Sequence, residues 1–183
     1  MKYRDKNEKI EIPEIPNSYI LKLDELLAYL KYRNERSILK LKKIYSYMDD
    51  FSQYVSGFSV CDKGCSHCCK IDIQLTRVEA DLISFNLNKK INEPTNKSVK
   101  NTDSCPFLDN NDYCSIYDIR PFSCRVFFTL DHPKYCSSNE PHNVYGSQEG
   151  VFTVNIFREL HDEVLKLNKK LKIFDIRDYF KET

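Results

Sequence analysis

Hydrophobic residues in the first third of the chain recur at intervals of three and four positions, which is the spacing of an amphipathic helix. The pattern begins at Ser18 and forms two successive stripes. The first stripe consists of Ile20, Leu23, Leu27 and Leu30, and the second of Ile38, Leu41, Tyr45, Met48, Phe51 and Val55. Asn34 lies between them, so the stripes predict either two helices or one long helix whose apolar face shifts. Gly57 is suited to end the second stripe.

Weaker patterns follow in the middle of the chain. The alternation of apolar and polar residues at Ile71, Ile73 and Leu75 predicts one short strand. Thr76 and Glu79 then form a capping-box pattern, in which each side chain bonds the backbone of the other residue. This pattern predicts a further amphipathic helix directly after the strand.

The C-terminal part of the chain predicts two more helices. A stripe at heptad-like spacing consists of Phe157, Leu160, Val164, Leu167 and Leu171. It predicts a long helix that begins near Val151, and residues 175–180 predict a short terminal helix. Residues 1–16 are charged and contain two prolines, so they predict a loosely held arm. Residues 88–104 are polar and predict a surface loop.

Together these elements predict a mostly α fold, a small helical domain with a central cysteine-rich, loop-rich metal-binding region. The 183 residues are enough to bury one hydrophobic core, so we expect a single domain overall. Within it, residues 1–57 form the N-terminal arm and helices, and residues 58–140 form the cysteine-cluster region. Residues 141–183 supply C-terminal helices that pack on the same core.

Charge and hydropathy limit the classes of partner. Lys and Arg number 28 against 27 Asp and Glu, and the net charge of +1 offers no field that would attract nucleic acid. No apolar run of about 18 residues is present for a membrane-spanning helix. The charged N-terminus lacks the apolar core of a signal peptide, so we expect a cytoplasmic protein. Disulfides are rare in that compartment, which favours thiolate chemistry for the eight cysteines over a disulfide-stapled or thiol-redox protein.

The cysteines form two groups along the chain. The first group is Cys61, Cys65, Cys68 and Cys69, and the second is Cys105, Cys114, Cys124 and Cys136. The spacing of the first group places all four thiols on one face if the segment is helical. Gly64 favours a loop that folds around an ion instead. Eight thiolates suit two zinc centres of four sulfur ligands each, or one iron–sulfur cluster held by four cysteines with a remainder. All-sulfur ligation argues against Mg²⁺ and Ca²⁺, which prefer oxygen.

Arg120 and Arg125 flank Cys124 and are candidate cofactor-binding residues. They either hold an anionic substrate or offset the negative charge of a thiolate-bound metal. In the structural alternative they pair with Asp109, Asp118 or a helix end.

Several other side chains near the cysteines have a simpler expected role. We interpret His67 as a bystander beside eight available thiols. Glu79 is first a capping residue, and a general base only if it faces the metal. Aromatic side chains predict a dry shell around the cysteines. They are Phe107, Tyr113, Tyr117, Phe122, Phe127 and Phe128.

The order of these motifs resembles the YkgJ-type cysteine cluster family, also called the CxxCxxCC zinc- or iron-chelating domain. The motifs are Cys61-x3-Cys65-x2-Cys68-Cys69, Cys105-Pro-Phe-Leu, Cys114-x-Ile-Tyr and Arg120-Pro-x-x-Cys124-Arg125. The family commonly has two residues between its first two cysteines, whereas this chain has three. Cys136 lies at a position that some relatives also fill.

The resemblance implies a cytosolic metal-binding protein that holds zinc or an iron–sulfur cluster and serves as a sensor, a metal handler or a protein-binding module. Flagellin lysine N-methylases carry a similar cysteine cluster, so the alternative is a metal-dependent enzyme related to them. The chain has neither a P-loop nor a glycine-rich loop for S-adenosylmethionine.

Overall fold

Two long helices form the N-terminal part of the fold. The computed structural model describes residues 3–61, 64–101, 103–138, 140–146 and 154–180. Helix α1 spans Asn17–Tyr32 and helix α2 spans Ser37–Ser56. Arg33, directly after α1, has an extended backbone, so of the two alternatives the one with two separate helices is confirmed. Gly57 follows the last residue of α2, as predicted.

Shorter elements make up the rest of the described chain. In order they are β1 (Gln74–Leu75), α3 (Arg77–Leu87), α4 (Phe122–Arg125), β2 (Phe128–Thr129), α5 (Lys134–Ser137), β3 (Val144–Tyr145), α6 (Asn155–Leu167), β4 (Phe174–Asp175) and α7 (Ile176–Phe180). Strand β1 pairs antiparallel with β4, and β2 pairs antiparallel with β3. The fold is therefore mostly α with a loop-rich cysteine region, as the sequence predicts.

The capping box at the start of α3 is present as predicted. Glu79 accepts hydrogen bonds from the Thr76 backbone N–H at 2.9 Å and from the Thr76 hydroxyl at 2.6 Å. The terminal helix predicted over residues 175–180 is also confirmed, as α7.

Two predicted elements are shorter than their hydrophobic patterns suggest. The strand contains only Gln74 and Leu75, and the side chain of Ile71 is 45% exposed. Helix α6 ends at Leu167, and Leu171 is 55% exposed beyond it. Lys169 and Lys170 both have positive φ, which breaks the helical path before the last apolar residue of the stripe. The start predicted near Val151 lies outside the described residues.

The N-terminal arm is held more firmly than its composition suggests. Arg4 donates to the carbonyl oxygen of Phe58 at 3.0 Å, and Asp5 accepts from the Tyr135 hydroxyl at 2.5 Å. Three isoleucines of the arm also pack against the helices, namely Ile10, Ile12 and Ile15. The expectation of a loosely held arm is wrong for residues 3–16, because these contacts tie it to α2 and to the cysteine region.

The buried side chains form two hydrophobic clusters. The larger one, here called the helical core, includes Phe51 of α2 and Leu160 of α6. The smaller one, here called the C-terminal core, includes Leu75 of β1 and Tyr179 of α7. Helix α3 contributes to both, because Leu82 belongs to the helical core and Ile83, its immediate neighbour in the chain, to the C-terminal core. Cysteines pack against both clusters. No helix in the described ranges is long and apolar enough to cross a membrane.

Candidate metal centre

Six of the eight cysteines line one cavity of about 170 Å³. They are Cys61, Cys65, Cys68, Cys69, Cys114 and Cys124. The remaining wall includes three serines at the C-terminal end of α2 and just beyond it, the aromatic side chains of Phe127 and Phe128, and Arg120. The two cysteine groups, far apart in sequence, therefore meet in space.

The first cysteine segment is a loop that ends in one short turn. Gly64 has a φ of +100°, which only glycine adopts without strain, and a single 3₁₀ turn follows at His67–Lys70. The helical alternative, in which all four thiols share one face, is therefore wrong, and the alternative of a loop is confirmed. Asp62 and Lys63 lie outside the described residues.

Strand β2 fixes the position of Cys61. The backbone N–H of Thr129 donates to the Cys61 sulfur at 3.1 Å, and the Cys61 thiol lies 3.9 Å from the carbonyl oxygen of Phe127. The backbone N–H of Val60 donates in return to the Thr129 carbonyl at 2.9 Å. These contacts attach the start of the cysteine loop to the β2–β3 pair.

Cys105 is attached to the first group through the backbone. Its N–H donates to the carbonyl oxygen of Cys69 at 2.8 Å. A tight turn follows, in which Leu108 forms an isolated β-bridge with Cys114. The turn brings Cys114 back toward Cys105, so two motifs nine residues apart lie side by side.

Cys124 is positioned by a buried carboxylate that sequence analysis assigned mainly to capping. Glu79 is 2% exposed, and it accepts from the backbone N–H of Phe122 at 2.7 Å and from the Tyr45 hydroxyl at 2.8 Å. Both contacts are additional to its capping bonds with Thr76. Glu79 thus joins α2, α3 and α4, and α4 carries Cys124. Because all these partners are structural, the geometry favours an organising role over that of a general base.

The environment of the thiols favours their neutral form. Burial raises the pKa of Cys61 and the pKa of Cys105 to about 12 in each case. The pKa of Cys124 is also raised well above its usual value, first by burial and then by neighbouring thiols. Cys68 and Cys69 differ because the two thiols share a hydrogen bond, which raises the pKa of Cys68 and lowers the pKa of Cys69. A bound cation would reverse this preference for protonated sulfur.

The residues present fit a thiophilic metal in their donor chemistry. All eight cysteines are free thiols. The hydroxyl oxygen of Ser59 is buried on the cavity wall and has no hydrogen-bond partner among the described residues. A metal-bound sulfur would supply an acceptor for such a hydroxyl. No group of three or more Cys, His, Asp or Glu side chains in the described ranges is already arranged around a single point, so binding would require thiol side chains to rotate inward.

The two candidate arginines lie in different places. Arg120 lines the cavity, stacks on the Tyr117 ring at 3.9 Å from its centroid and donates to the Tyr117 carbonyl at 3.0 Å. Arg125 is 1% exposed and lies outside the described cavity wall. Its guanidinium pairs with Asp49, donates to the Asp118 carbonyl at 2.7 Å and lies over the Tyr45 ring. Only Arg120 is therefore placed to act on a group in the cavity.

A buried polar network next to Cys61 was not predicted from the sequence. Asp131 is fully buried and lies 3.0 Å from Nδ1 of His142. It also accepts from the Thr129 hydroxyl at 3.1 Å and from the Asn143 backbone N–H at 2.7 Å. These residues follow no motif spacing, and only the pairing of β2 with β3 brings them together. His67, by contrast, is half-buried and lies outside the described cavity lining, in keeping with a bystander.

Comparison with known proteins confirms the resemblance drawn from the cysteine motifs. Residues 60–143 match the sequence model of the CxxCxxCC family, described as "Putative zinc- or iron-chelating domain". The match covers somewhat less than half of the chain and contains all eight cysteines. No curated protein and no solved structure shows significant similarity to the chain.

Proposed function

We propose that this chain, whose residues 60–143 carry the CxxCxxCC domain, is a metal-binding protein that holds zinc or an iron–sulfur cluster through its cysteine thiolates. The proposed ligands are Cys61, Cys65, Cys68, Cys69, Cys105, Cys114, Cys124 and Cys136. The observation that carries the proposal is the convergence of six of these thiols on one cavity. So many thiols on the wall of one cavity are typical of a site for a thiophilic metal.

The donors around the cavity select the class of metal. Sulfur ligands suit Zn²⁺ and iron–sulfur clusters, whereas Mg²⁺ and Ca²⁺ require oxygen. Asp112 also lines the cavity, but its carboxylate lies 3.8 Å from the ammonium group of Lys70 and faces a cation already. Zinc would supply a closed structural crosslink between the two cysteine groups, and an iron–sulfur cluster would supply electron transfer.

Arg120 supports the proposal through charge. Four thiolates around one Zn²⁺ ion carry a net charge of about −2, and an iron–sulfur centre held by four thiolates is also anionic. The guanidinium of Arg120 lies on the cavity wall and acts on the nearby thiols of Cys114 and Cys124, where it favours the thiolate form. We therefore assign Arg120 the role of offsetting the charge of the bound centre.

A metal-dependent enzyme is the second candidate function, and the position of Arg120 is the observation that favours it. The same guanidinium is suited to hold an anionic group of a substrate beside the metal. A catalytic metal keeps one coordination position for water or substrate, whereas a structural site is closed by protein ligands. X-ray absorption spectroscopy of the loaded protein separates the two, because four sulfur neighbours per metal support the binding module and an oxygen neighbour supports the enzyme.

A triple variant tests the metal-binding function. We expect Cys65→Ser, Cys68→Ser and Cys69→Ser together to remove most of the bound metal and to lower the melting temperature. His67→Ala is the matched control, because it changes the same loop without removing a thiol and should retain the metal. Elemental analysis per chain gives the content. Unchanged metal and melting temperature in the triple variant would contradict the proposal.

A further inference from the structure

The cysteines differ in which hydrophobic cluster they contact. Cys61 packs against the helical core. Four others belong to the C-terminal core or pack against it, namely Cys69, Cys105, Cys114 and Cys124. Because the two cores lie on different sides of α3, this packing separates Cys61 from the other four before any ligand is considered.

The set on the C-terminal core is linked by short backbone contacts. The N–H of Cys105 bonds the carbonyl of Cys69, and the bridge between Leu108 and Cys114 closes the turn that begins at Cys105. The fourth member, Cys124, interacts electrostatically with the thiols of Cys105, Cys69 and Cys114. These four cysteines are therefore neighbours in the fold, and four is the number that either a zinc ion or an iron–sulfur cluster takes from cysteines.

The other set is organised around Thr129. Its backbone N–H donates to the Cys61 sulfur at 3.1 Å, and its side chain acts on the Cys136 thiol, whose pKa it lowers against the larger effect of burial. The Cys65 thiol interacts electrostatically with both Cys61 and Cys136, and Cys136 also interacts with Cys61. Helix α5, which carries Cys136, packs against the 3₁₀ turn at His67–Lys70. This contact brings Cys136 close to the turn that contains Cys68.

The adjacent pair Cys68 and Cys69 lies at the boundary between the two sets. Cys69 packs against the C-terminal core, whereas Cys68 is not among the described residues that form that core or pack against it. Cys68 interacts electrostatically with Cys69 and Cys124 of one set and with Cys61 of the other, whereas Cys105, Cys114 and Cys124 each interact with Cys69. Because the set on the C-terminal core already has four thiols, we assign Cys68 to the set that contains Cys61. Since consecutive residues of a 3₁₀ turn project about 120° apart, one turn can direct two thiols to different centres.

We infer that the eight cysteines form two centres of four thiolates each, with Cys68 and Cys69 divided between them. The first centre consists of Cys61, Cys65, Cys68 and Cys136, and the second of Cys69, Cys105, Cys114 and Cys124. Three thiols from each centre line the shared cavity, so the two centres are neighbours. The inference rests on the proposed metal-binding function and adds the number of centres and the ligands of each.

Paired substitutions test this division. Cys61→Ser with Cys136→Ser removes two ligands of the first centre, and Cys105→Ser with Cys114→Ser removes two of the second. We expect each pair to lose about half of the wild-type metal, counted by native mass spectrometry of zinc-loaded protein. His67→Ala is again the control and should keep the full content. The division into these two centres would be overturned if either paired variant lost all of its metal. It would also be overturned if one of the paired variants lost no metal.

The wild-type protein and two single variants keep the test decisive if a pair fails to fold. Two four-thiolate centres predict about two zinc ions per wild-type chain, and one ion would contradict them. Cys68→Ser and Cys69→Ser should each lower the content by about one ion, and each should leave a different centre intact. In the Cys68→Ser variant the second centre remains, so bound metal should protect Cys105 from alkylation. In the Cys69→Ser variant that centre is lost, so Cys105 should be alkylated. Equal protection in both would contradict the assignment. Wild-type protein that binds no metal at all would instead refute the proposed function.

Discussion

Nη2 of Arg177 donates a hydrogen bond to the carbonyl oxygen of Cys69 across 3.1 Å. The same guanidinium donates to the carbonyl oxygens of Asp103 at 3.0 Å and Ile71 at 3.2 Å, and it pairs with Asp175. Arg177 lies in α7, outside the region that matches the family, and is 4% exposed. The C-terminal helix therefore holds the backbone of Cys69, a candidate ligand. It also holds the backbone two residues before Cys105, a second candidate ligand.

Arg177→Met should destabilise the protein and weaken its hold on metal. The substitution leaves three carbonyl groups and the buried Asp175 without their cationic partner, a loss that typically costs about 3 kcal/mol or more. Urea unfolding with and without a chelator measures both effects. Arg33→Met, at an exposed position after α1, is the control and should change the free energy of unfolding by about 0.5 kcal/mol or less. Equal stability of the two variants would contradict the role of Arg177.

Glu79→Ala should also be strongly destabilising, because four hydrogen bonds to a buried carboxylate are lost. We expect a cost of about 3 kcal/mol in the free energy of unfolding, and a smaller cost for Glu79→Gln, which retains an acceptor. Glu93→Ala is the control, because that carboxylate is exposed and its ion pair with Arg77 contributes about 1 kcal/mol at most. Chemical denaturation followed by circular dichroism gives all three values. A Glu79→Ala variant as stable as the control would show that Glu79 does not organise α2, α3 and α4.

Ser59→Ala should act in opposite directions on the metal-free and metal-bound protein. Without metal, the buried hydroxyl has no partner within the described chain, so its removal should raise stability by about 1 kcal/mol. With metal, the variant loses a hydrogen bond to a thiolate sulfur and should release metal to a chelator faster. Ser52→Ala is the matched control, since that hydroxyl lines the same cavity but donates to the Asp49 carbonyl at 2.7 Å. Metal release at the wild-type rate would contradict the proposed contact.

The stability of the metal-free protein should fall as the pH rises from about 9 to about 12. Burial raises the pKa of Cys61 and of Cys105 from 9.0 to about 12, so the folded state keeps two protons that the unfolded state has released. Below pH 9 both states hold these protons and the effect is absent. Above it, each thiol lowers the free energy of unfolding by up to about 1.4 kcal/mol per pH unit.

Urea unfolding in chelator and reductant at pH 8 and pH 10 measures this dependence. Lysines and tyrosines titrate in the same range, so the comparison is with the Cys61→Ala/Cys105→Ala double variant, in which the pH dependence should be shallower. An identical pH dependence in the two proteins would contradict the assignment of raised pKa values to these thiols.

Local periodicity was sufficient to predict most of the helices. The stripes of α1 and α2, the stop at Gly57 and the capping box before α3 each depend on residues within one or two helical turns. The end of α6 could not be predicted in the same way. Leu171 continues the apolar spacing, but Lys169 and Lys170 adopt positive φ, and nothing in the residue types of this segment indicates it.

The candidate site was predictable in its residue types and not in its arrangement. The motif spacing identified the eight cysteines, and Arg120 was named from its place beside Cys124. The contacts that position them connect residues far apart in sequence, such as Arg177 with Cys69 and Thr129 with Cys61. Such contacts depend on β1 pairing with β4 and β2 with β3, and two-residue strands leave almost no periodic signal.

The most direct test of the central claim is the content of metal and acid-labile sulfide per chain in wild-type protein purified without oxygen. We predict bound zinc without sulfide, or iron with a matching amount of sulfide, at a level that accounts for two four-thiolate centres. Zinc would identify a structural or binding module, and iron with sulfide would identify a redox-active one. Folded protein with all eight thiols reduced, and with neither metal present, would contradict the account.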